Sequence, residues 1–260
     1  MINAVFGNAD YFILLLFRVG GLVFASPIFG RVNIPTIAKI GLVAAITYLF
    51  FTIFPPPVEL HYSTLAGFLL VGVGELLLGI ALAFVTNLFF SITAFTAGQL
   101  IDLQIGFGIV NVYDVQNNTQ IPMMGNVLNI MLLLLFFGVN GHLRLIDMVH
   151  LTVESMPIGT LVVSPKMSLV ALEIFTRAFM LGVMMALPIL ASGLTLEFAF
   201  GVLMRAVPQI HMFVVGIPVK MLVGVFVFTL TLPIFANFSS RIFSEMFTGI
   251  GNMFATFAEA

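Results

Sequence analysis

Several charged side chains stand where charge is expensive. Arg18 lies within Leu14-Leu15-Leu16-Phe17-Arg18-Val19, and Glu75 within Val71-Gly72-Val73-Gly74-Glu75-Leu76. Glu173 and Arg177 share a later apolar run, and Lys220 sits in another. An ionised group in hydrocarbon costs on the order of 3 kcal/mol or more, so such residues turn toward protein or water. Two chemistries follow. The charges pair and lock helices together, or they line a conduit or a proton path. Glu173 and Arg177 are four apart with the acid first, the favourable order for a pair within one helix.

Enzyme chemistry has no foothold. There is no His-Glu-x-x-His zinc pair, no Walker lysine loop and no nucleophile-elbow serine. The chain has no cysteine, which excludes disulfides, thiolate catalysis and iron–sulfur clusters. His61, His142, His150 and His211 are scattered and read as structural. No catalytic residue, metal ligand or cofactor is assigned.

The elements that position these charges follow from composition. Of 260 residues, 61% are hydrophobic and 8% charged, against about 45–50% and about 25% in ordinary globular proteins. So few charges cannot cover a soluble surface of this size. Most of the surface meets lipid or apolar protein, and 29 Phe with 15 Met supply adaptable packing. The net charge of −2 gives no basic field, so nucleic acid is excluded as a partner.

A membrane-crossing helix needs about 20 mostly apolar residues. Six runs qualify: about 11–29, 38–54, 66–100, 124–139, 168–196 and 212–235. Pro55-Pro56-Pro57 ends the second. Residues 1–10 contain no Lys or Arg, unlike the start of a secretory signal, so the first run is kept in the mature protein. About 238–257 reads as an amphipathic helix, with Phe238, Ile242, Met246, Ile250, Met253 and Phe257 on one face. That face suits a membrane surface or a partner helix. Pro188, Pro218 and Pro233 fall inside apolar runs and predict breaks, where backbone groups need partners from protein. The positive-inside rule ties: Arg31, Lys39 and Arg205 on one side, Arg144, Lys166 and Arg241 on the other. Such a tie fits helices that are not simple bilayer crossings.

The central stretch from Gly106 to Pro122 is the most polar interior segment. Its start is apolar at Phe107, Ile109 and Val112, and it then turns polar through Asn117 and Asn118. It reads either as an ordinary connection or as a re-entrant, gate-like loop.

Four stretches together resemble the FliR family of flagellar export proteins, with its injectisome relatives SctT. They are Arg18-x-Gly20-Gly21 with Ser26-Pro27-Ile28-Phe29-Gly30, Ile34-Pro35 and Lys39; Gly106-Phe107-Gly108 ending in Asp114; Leu135-Phe136-Phe137 with Asn140-Gly141-His142 and Ser155-x-Pro157-x-Gly159; and Arg205 to Phe213 with Gly216-Ile217-Pro218-Val219-Lys220. The resemblance covers essentially the whole chain, 1–260, as one membrane domain. It implies an all-α integral membrane protein of about six partly broken helices plus the C-terminal amphipathic one, packed in a helical hetero-oligomeric export gate. It also implies a bacterial inner membrane location in the flagellar basal body. Expected partners are FliP and FliQ homologues, FlhB and FlhA, membrane lipid and unfolded flagellar export substrates. The loop at about 106–123 is expected to plug the pore through Gly106, Phe107, Gly108, Ile109, Val112, Tyr113 and Asp114. Arg18, Glu75, Glu173, Arg177, Arg205 and Lys220 are expected as buried charges that hold the assembly. A secondary transporter of a small solute is the alternative reading, resting on intramembrane charges and broken helices.

Overall fold

The computed structural model describes residues 8–54, 64–107, 112–114, 119–159, 166–207 and 215–258. Eight α-helices account for nearly all of them: α1 Ala9–Ala25, α2 Thr36–Ile53, α3 Leu65–Asn87, α4 Thr93–Ile105, α5 Met123–Gly138, α6 Gly141–Ser155, α7 Met167–Ala206 and α8 Ile217–Ala258. A π-helical turn, Leu88–Ile92, joins α3 to α4. Strands β1, Val112–Asp114, and β2, Thr119–Ile121, pair antiparallel with Tyr113 opposite Gln120. Among the described residues the protein is all-α apart from this short hairpin. The triple proline at 55–57, His61 and the Pro208 to Phe213 part of the fourth motif lie outside the described residues.

Among the described residues each of the six apolar runs is largely helical, but their lengths differ from even spans. Four helical stretches are long and apolar enough to cross a membrane: Thr36–Ile53, Leu65–Ile105, Met167–Ala206 and Ile217–Phe257; α5 and α6 taken together would make a fifth. Helix α1 has 17 residues and stops at Ser26, before Pro27, because proline disfavours the α conformation of the residue preceding it. Helix α5 has 16 and stops at a turn whose Asn140 takes a left-handed conformation, φ 56°.

Proline does not break the helices at Pro188 and Pro233, where the sequence predicts it. Helix α7 continues through Pro188, and α8 through Pro233. Pro218 stands in the first turn of α8, where its missing amide has no partner to lose. Near Pro233 the hydroxyls of Thr229 and Thr231 donate to the Val225 and Phe228 carbonyls, at 2.9 and 2.8 Å. One absent hydrogen bond does not end a helix of 40 residues. The sixth run and the amphipathic segment therefore form one helix, α8. The real irregularity is the π turn at Leu88–Ile92, which contains no proline.

The chain divides into two compact units. One comprises residues 1–88, 137–174 and 246–260, the other 89–136 and 175–245. In the first, α1 packs along α3 and against α2. Leu14, Leu15, Val19 and Val23 of α1 are buried, as are Leu78 and Leu82 of α3 and Leu145 and Val149 of α6. In the second, Phe90, Phe136 and Phe243 form an aromatic cluster with centroids 5.2–6.1 Å apart.

Candidate functional site

Glycine decides how closely α1 and α3 cross. A Cβ on Gly79 would collide with the Arg18 carbonyl, and one on Gly21 would lie 2.5 Å from the Leu76 carbonyl. Only bare backbone fits at either position. This close crossing brings Arg18 and Glu75 face to face, and both are fully buried. Arg18 Nε donates to Glu75 Oε2 at 2.5 Å. Arg18 Nη1 donates to the carbonyls of Thr152 and Met156 at 3.0 and 3.1 Å. Glu75 Oε1 accepts the Gly159 amide at 2.8 Å. Gly159 takes φ 90°, which only glycine adopts without strain.

The pair thus ties α1, α3, the end of α6 and the turn after it. Two of the four motifs meet here: Arg18-x-Gly20-Gly21 supplies the cation, and Ser155-x-Pro157-x-Gly159 gives the Met156 carbonyl to Arg18 and the Gly159 amide to Glu75. A charge-assisted hydrogen bond in a low-dielectric interior is stronger than a neutral one, and this geometry satisfies both carboxylate oxygens. The nearby apolar cavity of about 480 Å³, between α1, α2 and α3, is lined by neither charge. Within this chain the pair ties helices together with both charges buried.

The rest of the first motif builds the turn between α1 and α2. Ser26 Oγ accepts the Ile28 amide at 3.2 Å, and the Gly30 amide donates to the Ser26 carbonyl at 2.8 Å. Lys39 Nζ donates to the Gly30 carbonyl at 2.8 Å, and Arg31 Nε to the Pro27 carbonyl at 3.2 Å. Gly30 is packed on the Phe24 and Ser26 carbonyls so closely that no side chain fits. These cations are occupied by backbone oxygens as well as marking a loop.

The central loop is anchored at its base. Helix α4 ends at Gly106, whose φ of 95° makes the left-handed cap and whose amide donates to the Asp102 carbonyl at 3.0 Å. The buried Asp102 carboxylate accepts the Met124 amide at 3.2 and 3.4 Å, in the first turn of α5. One turn earlier, Gly98 of α4 meets Gly125 of α5 so tightly that a Cβ would collide with backbone. Between these ends, Phe107 is half-buried, and Val112, Tyr113 and Asp114 form β1. The two strands pair into a hairpin within the connection. Gly108 and Ile109 lie outside the described residues.

The remaining charges are distributed unevenly. Lys220 Nζ donates to Glu197 Oε1 at 2.5 Å, and Gln104 Nε2 approaches the same oxygen at 3.5 Å. This half-buried trio joins the ends of α4 and α7 to the start of α8. Arg177 Nη1 reaches Glu245 of α8 at 3.0 Å, a partner that four-residue spacing did not indicate. Glu173, Arg177 and Arg205 are exposed in the single chain, so any burial of theirs has to come from other molecules. His142 packs at a tilt against Phe137 and His150 against Phe54, with centroids 4.9 and 4.8 Å apart. Among the described residues no group of three metal-ligating side chains exists.

Asp102 is the buried anchoring carboxylate that sequence reasoning passed over. Its position held a signal. It stands in the last turn of α4, where the helix dipole disfavours an acid. An acid so placed points to a donor elsewhere, here the amino end of α5, where the same dipole favours it.

The comparisons with known proteins fit this geometry. The model of bacterial export proteins, family 1, matches residues 9–246. The flagellar biosynthetic protein FliR of Escherichia coli is 33% identical over 89% of this chain and 88% of its own. Its namesakes in Bacillus subtilis and Pectobacterium carotovorum are 27% and 31% identical, over 97% and 88% of this chain and 98% and 87% of theirs.

Proposed function

Because the chain belongs to family 1 of the bacterial export proteins, we propose that it is a structural, non-enzymatic subunit of the flagellar protein export apparatus. One observation carries the reading. Helices α7 and α8 are far longer than a bilayer needs, and α7 exposes large apolar side chains along nearly its whole length. Helix α7 has 40 residues, or roughly 60 Å of axis at 1.5 Å per residue, against about 30 Å of hydrocarbon. Exposed Leu169, Leu172, Phe179, Leu187, Leu194, Phe198 and Val202 mark nearly its whole length. Fitting all of it in lipid would need a tilt of roughly 60°, beyond the range up to about 40° seen for membrane helices. Part of that apolar stripe therefore needs protein to cover it.

The finer reading is a pore. The chain assembles with FliP and FliQ homologues in the bacterial inner membrane, in the flagellar basal body, near FlhB and FlhA. Unfolded flagellar proteins pass through the channel they enclose. The segment at about 106–123 is the plug that keeps the resting channel ion-tight, since a narrow apolar constriction can close a pore by dewetting. The transporter alternative loses its main support, because the Arg18–Glu75 charges are consumed by each other and by backbone groups.

The test is co-expression with FliP and FliQ homologues, followed by purification through this chain and native mass spectrometry. The reading expects a hetero-oligomer with unequal copy numbers. A monomer or homo-oligomer that binds a small solute would overturn it.

A further inference from the structure

The cavity of about 480 Å³ between α1, α2 and α3 takes no part in the Arg18–Glu75 lock. Every residue lining it is apolar or glycine, and small ones, Gly20, Gly21, Ala25 and Ala44, supply the space. Gly21 is needed for the close crossing with α3, but Gly20 is not: a Cβ there would meet only Val43, at 3.9 Å. The cavity is open on one side, where its lining residues Phe24 and Ile40 are 47% and 55% exposed. Such walls give a water no hydrogen bond and a small polar solute nothing to orient it. Along α1 the cavity runs from Leu16 to Ala25, about 14 Å at 1.5 Å per residue. That is close to half of the roughly 30 Å hydrocarbon thickness of a bilayer, so the cavity is one leaflet deep.

One end of it is positively charged. Neither residues 11–58 nor residues 76–101 contain an acid, and the cations among them are the buried Arg18, Arg31 and Lys39. Lys39 precedes Ile40 of the cavity wall, and its Nζ donates to the Gly30 carbonyl at 2.8 Å. Gly30 is packed in turn on the carbonyl of Phe24, another wall residue. Arg31 stands next to Gly30, with its Nε on the Pro27 carbonyl at 3.2 Å. Each cation uses one N–H in these bonds and keeps the others for a ligand. Helix α2 begins here without a side-chain cap, so the positive end of its dipole adds to the same field.

We propose that this is a binding site for one anionic phospholipid of the surrounding bilayer: an acyl chain fills the cavity between α1, α2 and α3, and the phosphate rests at Arg31 and Lys39. An acyl chain gains little by exchanging lipid for an equally apolar wall, so selectivity comes from the two cations. Shape supplies the rest. Helix α2 buries only Val43, Thr47 and Phe50 in the fold, and a seated chain completes its contact with α1. The site requires only that α1–α3 lie in a bilayer, and it would serve a transporter as well as an export subunit.

The test is photolabelling of the chain, purified with its partners, in phosphatidylcholine nanodiscs. One sample holds a small fraction of phosphatidylglycerol with a photoreactive acyl chain, and the other carries the same chain on phosphatidylcholine. Mass spectrometry then maps the adducts. The phosphatidylglycerol probe should label the cavity-lining residues of α1 and α2 at least about tenfold more than the phosphatidylcholine probe, since each cation near the membrane surface favours an anionic lipid about fivefold. Lys39→Gln should lower that excess about fivefold, and Lys39→Arg should keep it. Gly20→Leu fills the cavity and should abolish its labelling by both probes; Ala44→Leu fills it from α2 if Gly20→Leu fails to assemble. Labelling at Leu70 of α3, 74% exposed, should not change and reports that the chain sits in lipid. Equal labelling of the cavity by both probes would mean ordinary lipid contact, and an unlabelled cavity beside a labelled Leu70 would mean that a protein partner covers it. Either result overturns the site.

Discussion

Removing Glu75 should damage this protein more than removing both Glu75 and Arg18. Glu75→Leu takes away the acceptor of Arg18 Nε and of the Gly159 amide. The guanidinium stays buried, and Nε joins Nη2 as an unpartnered donor. Breaking a buried pair from one side costs about 3–5 kcal/mol. Arg18→Leu leaves the carboxylate with the Gly159 amide and costs a similar amount. The double replacement buries no charge. Exchanging a buried ion pair for apolar groups of like volume is often neutral or stabilising by about 1–4 kcal/mol. Against that stands the orphaned Gly159 amide, at about 1–3 kcal/mol. These two contributions offset each other, so the double variant should lie near the parent and above both single variants. The coupling, the double change less the two single losses of about 3–5 kcal/mol each, should then be roughly 6–10 kcal/mol, far beyond the error of additivity. The assay is heating the co-purified complex of each variant and measuring the chain retained in it by fluorescence-detected size exclusion. Additive losses would refute the lock. Single variants that assemble normally and leak ions would mean that the charges line the conduit.

Gly79→Ala should lower the midpoint of the same melt by forcing α1 off α3, an overpacking cost of about 1–3 kcal/mol. Gly41→Ala, whose Cβ meets nothing within 4 Å, should not lower it and should gain up to about 1 kcal/mol of helix propensity. Deleting residues 109–118 should leave assembly intact and raise ion or small-solute leakage, read as conductance or uptake in cells; intact assembly without leak would reject the plug. Expressed without partners, the chain should aggregate or be degraded, because Ile37, Leu70, Phe198 and Leu222 are more than 70% exposed in the single chain; a monodisperse, protease-resistant monomer in detergent would contradict this.

Composition alone determined the solvent of this protein, and therefore its helices. With 61% hydrophobic residues and no water to satisfy the backbone, each apolar run had to close its own hydrogen bonds. Sequence also marked Arg18 and Glu75, since a charge inside an apolar run announces the need for a partner. It did not say which partner, because the pairing runs between residues 57 apart and depends on Gly21 and Gly79 letting two backbones touch. Four-residue spacing suggested Glu173 for Arg177, and the fold adds Glu245, 68 residues away. Proline suggested breaks that did not form, because a missing hydrogen bond is a local cost that surrounding packing can outweigh. Asp102 was the deepest omission. Its meaning lies in the amide of Met124, which approaches only once α4 and α5 have met at Gly98 and Gly125. Local chemistry is written along the chain, while partners across it exist only after the chain has folded.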